Sequence, residues 1–284
     1  MGFRLDRAAT LYLAGPLRRF AGKRCIPILM YHSIGNEDEA GVPGYYQTVT
    51  TVSAFEEQMR FLHRGGYQAV GLAEAWNRLS QGGNVANTVV VTFDDGFRNF
   101  RSNAFPVLNR YGFTATMFLP TAFIGKTPQT FKDRECLTWG EIRELQQHGM
   151  VFGSHTVTHP KLYGMTPAAI EQELSGSKKA MEDNLGWPVD AFAYPYAFPE
   201  ADGEFKRRLR EMLLQTGYAI GVCTSIGRPS AASDPLFLPR LPVNSADDRR
   251  LFQAKLEGAY DWLAKPQYLV KAAKTRLKAA RHGS

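Results

Sequence analysis

Short apolar runs recur along the chain, rich in Val, Ile, Leu and Phe, and between several of them lie longer stretches whose apolar positions return every three or four residues. The runs read as strands buried on both faces and the stretches as amphipathic helices. The pattern predicts strands over 26–31, 88–93, 114–119, 150–154, 191–194, 218–223 and 236–241, and helices over 52–64, 100–111, 139–148, 167–185, 204–216 and 246–263. Strands alternating with helices require parallel pairing through right-handed crossovers, an α/β architecture. Helix starts are marked at Ser53 with Glu56, read as a capping box, and at Thr166-Pro167. No repeat or low-complexity tract divides the chain, and 35–46, acidic and Gly-rich, reads as a surface loop.

Two of the strands end in groups with chemistry. Val89-Val90-Val91 runs into Thr92-Phe93-Asp94-Asp95-Gly96, setting adjacent carboxylates at a strand end, where α/β proteins place their sites. Gly96 permits the turn that brings both toward one pocket, one to ligate and one to stay free. Met150-Val151-Phe152 opens into Gly153-Ser154-His155-Thr156-Val157-Thr158-His159-Pro160, with two imidazoles four apart that face one cation if the loop curls helically. Pro160 and the β-branched Thr156-Val157-Thr158 favour a short turn over a long helix. Asp-Asp-Gly alone is an ordinary turn, and so is a His pair alone an ordinary surface feature. Both at strand ends, in a chain with six histidines, point to a metal site with positions open for water and substrate.

These residues resemble the polysaccharide deacetylases of carbohydrate esterase family 4. Residues 92–96 match that family's first motif, and His155-Thr156-Val157-Thr158-His159 matches its His-Ser/Thr-x-x-His motif. The resemblance implies Asp94 as general base, and Asp95, His155 and His159 as ligands of a divalent cation. The Arg-Pro-Pro-Tyr motif is matched only in part by Tyr194-Pro195-Tyr196, without its Arg, and implies the backbone N–H of Tyr196 as an oxyanion donor. The Leu-x-His that supplies the general acid is absent, since no histidine lies between His159 and His282. Ile26-Pro27-Ile28-Leu29-Met30-Tyr31-His32 resembles instead the branch whose barrel is circularly permuted, which implies His32 as the acid. In that branch Arg240, of Arg240-Leu241-Pro242-Val243, takes the place of the missing Arg beside Asp94. The implied fold is a distorted (β/α) barrel of about seven strands.

Charge divides the chain into a basic segment 1–24, a body 25–264 and a basic amphipathic helix 265–284. The first holds six basic side chains and one acidic, the last six basic and none acidic, so against a net +7 the body carries −4. Lys271, Lys274, Lys278 and Arg281 share one helical sector, opposite Leu269, Val270, Ala273, Leu277 and Ala280. Such a helix suits an anionic membrane surface or the protein's own body. An acidic body without a nucleic-acid motif argues against nucleic acid. Cys25, Cys136 and Cys223 are odd in number and unpaired in spacing, so no disulfide framework is expected. The apolar stretch 8–14 ends at Gly15-Pro16 without a small-residue cleavage site, which with the basic termini leads to an expected cytoplasmic location at the inner face of the membrane.

The expected activity is metal-dependent removal of acetyl groups from an N-acetylated amino sugar in a polysaccharide, oligosaccharide or lipid-linked glycan. An O-acetyl ester substrate and a non-catalytic carbohydrate-binding role are the alternatives. Zn2+ suits two imidazoles and a carboxylate, and Fe2+, Co2+ and Ni2+ fit the same set. Non-haem Fe(II) oxygenases share these ligands, but on jelly-roll sheets with the carboxylate close to the first His, whereas here sixty residues separate Asp95 from His155.

Overall fold

The computed structural model describes residues 4–14, 24–37, 39 and 41–282, with side chains to Tyr12 in the first stretch and to Ala273 in the last. Seven parallel strands form its centre: β1 (Ile28–Tyr31), β2 (Thr88–Phe93), β3 (Ala115–Leu119), β4 (Val151–Ser154), β5 (Ala191–Ala193), β6 (Ile220–Ile226) and β7 (Leu238–Pro242). Each pairs with its predecessor in sequence, and β1 closes the ring by pairing both β2 and β7, with Leu29 opposite Val91 on one side and Leu241 on the other. The result is a closed (β/α) barrel, distorted where β6 shifts register against β7 between Val222 and Ile226. Each of these seven strands overlaps one of the seven apolar runs.

Alternation along the strands divides the core in two. Leu29, Val91, Met117, Phe152 and Leu241 pack outward under the surrounding helices. Ile28, Val90, Phe118, Ala193, Val222 and Leu238 form a second cluster filling the barrel interior. Step two or four residues on from these inner positions and the side chains become His32, Asp94 and Arg240. The strand period therefore carries each interior column from apolar residues into the site at the C-terminal mouth. Gly153 lies two residues before His155, and a Cβ there would approach Phe118 Cε1 to 2.7 Å, so only glycine leaves room for Phe118 to fill the barrel beneath the site.

Helix α1 (Val52–Arg64) buries Phe55, Met59 and Leu62 along one stripe, and α2 (Pro167–Leu185) buries Ile170, Leu174, Met181 and Leu185. Thr166 caps α2 as expected, but the cap of α1 is Thr51, which accepts from the Ala54 N–H and leaves Ser53 inside the helix. The capping box belongs to Thr138 and Glu141. A helix not among those expected, Leu72–Ser80, sends Leu72, Ala75 and Leu79 into the interior cluster and closes the N-terminal end of the barrel. The single helix expected over 246–263 is interrupted: Arg249–Leu256 stops before Gly258, whose φ of 86° is left-handed.

Both terminal segments are tied to the body. Arg4 bridges Asp6 and Asp247, Tyr260 donates to Asp6, and Trp262 Nε1 donates to Thr10 Oγ1 at 3.0 Å. The last helix, Ala264–His282, anchors through Gln267, bonded to Thr224 and Ile226 of β6, and through Lys271, 2.8 Å from Glu200. Lys271 thus turns inward from the expected basic face, while Leu269 and Val270 of the apolar face are exposed. Lys274, Leu277, Lys278, Ala280 and Arg281 lie outside the described side chains. Among the described residues no helix is long and apolar enough to cross a membrane.

Candidate metal centre and active site

Asp94 and Asp95 leave the end of β2 in different directions because Asp95 takes a left-handed backbone, φ 72°. Asp94 keeps the interior direction and is clamped by Arg240 from β7, with Nη1 2.7 Å from Oδ1 and Nη2 2.8 Å from Oδ2. Arg240 is itself fixed by Thr92 Oγ1 and by the carbonyl of Cys223, so the guanidinium has little freedom. Bidentate pairing of this kind is both strong and directional. Burial would raise the Asp94 carboxyl, but the Arg240 charge, helped by His155, holds it at about 2. The carboxylate therefore stays ionised across the physiological range.

Asp95 faces the two imidazoles. Its Oδ1 lies 3.2 Å from His159 Nε2 and 3.8 Å from His155 Nε2. Burial opposes its ionisation, yet the close His159, the other imidazoles and Lys132 hold it far below the usual carboxylate range. His155 lies 2.8 Å from the Ala193 carbonyl through Nδ1, which makes Nδ1 the protonated nitrogen and leaves the Nε2 lone pair facing the cluster. Burial pushes this ring down to about 4, so it stands neutral, as a ligand must.

The turn that carries the histidines is not helical. Thr156 and His159 have φ of 69° and 57°, and the His159 N–H donates to Thr156 Oγ1 at 3.0 Å. Glu173 of α2 accepts the Val157 and Thr158 N–H groups at 2.8 and 2.9 Å and holds the turn from outside. The two rings end with centroids 4.7 Å apart. Tyr196 is also left-handed, φ 58°, with its carbonyl accepting from Thr224 and its half-exposed ring edge-on to His159 at 4.7 Å. Left-handed backbone at non-glycine residues costs about 1–3 kcal/mol each, and such residues cluster at sites whose surroundings hold them in place.

Whether these groups suit a metal is answered by what they leave undone. Asp95, His155 and His159 are all buried, and one ligand atom from each falls within 4.8 Å of the others. Asp95 Oδ1 and His159 Nδ1 are buried with no hydrogen-bond partner among the described residues. Buried polar atoms are normally satisfied, and a lone-pair oxygen facing two imidazole nitrogens is satisfied by a cation. The residues fit a divalent metal.

Residues 81–221 match the family model described as polysaccharide deacetylase. Over 233 residues the chain is 32% identical to a putative polysaccharide deacetylase, YxkH, of Bacillus subtilis, covering 82% of this chain and 76% of that one. The chain belongs to the polysaccharide deacetylase family. Its barrel superposes on the Streptococcus pyogenes deacetylase PplD, in complex with acetate, with a TM-score of 0.71 at 27% identity, covering 82% of this chain and 99% of that one. It is also 29% identical over 194 residues to the poly-β-1,6-N-acetyl-D-glucosamine N-deacetylase of Escherichia coli, which takes in 64% of this chain but only 26% of that longer protein. As a member of this family the protein is a hydrolytic deacetylase acting on a carbohydrate.

One cluster brings together the candidates His32, Asp94, Asp95, His155, His159, Tyr196 and Arg240. His32, at the end of β1, lies with Nε2 4.0 Å from Asp94 Oδ2 and is partly open to solvent. Burial lowers its proton affinity, against the pull of Asp95 and Asp94. Sequence reasoning missed Lys132, whose Nζ is 2.9 Å from Asp95 Oδ2. Nothing in its spacing from the other residues points to the site, because a hairpin delivers it.

Proposed function

We propose that the protein removes acetyl groups from N-acetylated amino sugars in a polysaccharide, oligosaccharide or lipid-linked glycan, with Asp95, His155 and His159 holding a divalent cation, Zn2+ by the softness of the set. The observation that carries this reading is the pairing of a locked, ionised carboxylate with a half-satisfied one beside two buried imidazoles. A cation bound there supplies Lewis acidity toward the acetyl carbonyl and makes water at the site more acidic. Asp94 takes the proton from the attacking water. Arg240 keeps its carboxylate aimed while it does so. The backbone N–H of Tyr196 donates to the developing oxyanion. His32, at the open side of Asp94, protonates the departing sugar nitrogen.

The test combines metal analysis of purified protein with acetate release from β-1,4- and β-1,6-linked N-acetylglucosamine oligomers and from O-acetylated sugars. Acetate from the amides, abolished by a chelator and restored by Zn2+, supports the proposal. Release from esters alone replaces it with an esterase.

The protein acts, on this proposal, at the cytoplasmic face of an anionic membrane. Support comes from the basic terminal segments around an acidic body and from exposed Leu5, Tyr12, Tyr268, Leu269 and Val270 on the two segments that Trp262 and Thr10 join. Each basic group near such a surface contributes on the order of 1 kcal/mol, screened by salt. Co-sedimentation with phosphatidylserine vesicles should fall at high salt and on removal of residues 265–284. Equal sedimentation of both forms would dismiss the idea.

A further inference from the structure

The strands Thr130–Phe131 and Arg134–Glu135 form a hairpin whose two-residue turn is Lys132 and Asp133, with φ of 49° and 60°. Two consecutive left-handed residues are what a type I′ turn requires. The hairpin is fastened to the chain that follows Asp95: the Arg98 N–H donates to the Glu135 carbonyl at 2.8 Å, and the Leu137 N–H to the Gly96 carbonyl at 2.9 Å. Phe131 stacks on Phe123 at 4.3 Å and reaches within 5.2 Å of the His159 ring. Lys132 therefore starts from a fixed base, and its ammonium lies over Phe131 at 4.7 Å on its way to Asp95.

The two oxygens of Asp95 have different fates. Oδ2 accepts from Lys132, whereas Oδ1, buried and without a hydrogen bond, faces His155 and His159. An ordinary surface ion pair contributes little, but this one joins a partly exposed lysine to a carboxylate side chain that is only 3% exposed. We propose that Lys132 is a positioning residue for the metal-binding carboxylate: it occupies Oδ2, so that Asp95 offers the cation Oδ1 alone, and it stands as counter-charge to Asp95 before the cation arrives. This rests on the metal-site reading above. Two consequences have opposite signs to those of a merely structural lysine. Without the ammonium, Asp95 is free to present both oxygens, and a positive charge that repels the incoming dication is gone.

The experiment titrates metal-stripped full-length protein with Co2+, following the visible absorption of the bound ion and competition with a chromophoric chelator, for the parent, Lys132→Met and Lys132→Arg. Lys132→Met should bind Co2+ roughly threefold or more tightly than the parent, with an altered visible spectrum, because charge and hydrogen bond are both lost. Lys132→Arg, which keeps both, should stay within about twofold and retain the parent spectrum. Equal or weaker Co2+ binding by Lys132→Met, or a spectrum the same as the parent's, overturns the role of Lys132 while leaving the metal site intact. A parent that takes up no Co2+ overturns the metal-site reading itself.

Discussion

Two clusters of buried charge sit at opposite fates in this molecule. Around Asp247 and Asp6, near the N-terminal segment, every carboxylate oxygen is occupied: Asp247 Oδ1 by Arg4, Oδ2 by Lys255, Asp6 Oδ1 by Arg4, and Oδ2 by Arg4 and Tyr260. Around Asp94 and Asp95 the first carboxylate is as fully occupied, but the second is left with a buried oxygen that no donor reaches. Both clusters balance their charges, so charge alone does not separate scaffold from site. In these two clusters saturation does: the first, closed on itself, holds segments together, while the unmet oxygen of the second faces two imidazoles and is open to a ligand.

That contrast breaks most severely at the site. Asp94→Asn should lower deacetylation by about a thousandfold while the protein keeps its metal, and Asp95→Asn or His155→Ala should lose the metal as well. Metal content by plasma emission, beside acetate release, checks this; full metal in Asp95→Asn would show that the two carboxylates have been assigned the wrong way round. Next in size, His32→Ala should cost two to four orders of magnitude on an amide and distinctly less on an activated aryl acetate, whose leaving group needs little protonation. Equal losses on both substrates would remove His32 from the proton-transfer role.

The closed cluster should answer with stability instead. Asp247→Asn strands Lys255 and Arg4 and should cost about 3–5 kcal/mol in urea denaturation, with bound metal per folded molecule unchanged. The smallest effect is a dependence on pH. Asp94 falls from an ordinary 3.8 to about 2 on folding, so its ionised form stabilises the fold fully above about pH 4, and that stabilisation is lost as pH drops toward 2. The parent's advantage over Asp94→Asn, on the order of 2 kcal/mol, should therefore shrink as urea midpoints are followed from pH 6 to pH 3. A difference that grows on acidification would contradict the Arg240 clamp.

The barrel was legible because burial on both faces forces unbroken apolar runs, and no other pattern in this chain imitates them. The short helix Leu72–Ser80 was missed although Leu72, Ala75 and Leu79 return at helical spacing, because it is only nine residues long and follows a strand of two residues, Gln68–Ala69, that leaves no apolar run. In the site, Asp94, Asp95, His155 and His159 could be found because their spacing is local to two strand ends. Arg240 and His32 could be placed only by likeness to a family, since the contact between Arg240 and Asp94 spans 146 residues. Lys132 was out of reach of either route. Its approach depends on a two-residue turn whose left-handed backbone is held by Phe131 packing and by bonds to Gly96 and Arg98, none of which leaves a mark in spacing.

The closure of the ring through β1 also sets an order of assembly. The three candidate ligands lie on the turns after β2 and β4, made once the growing chain has passed His159, whereas the guanidinium that fixes Asp94 arrives only with β7, the strand that seals the barrel against β1. During synthesis the groups that face a cation are thus made before the guanidinium that aims the proton acceptor, and only closure of the ring brings the two sets together.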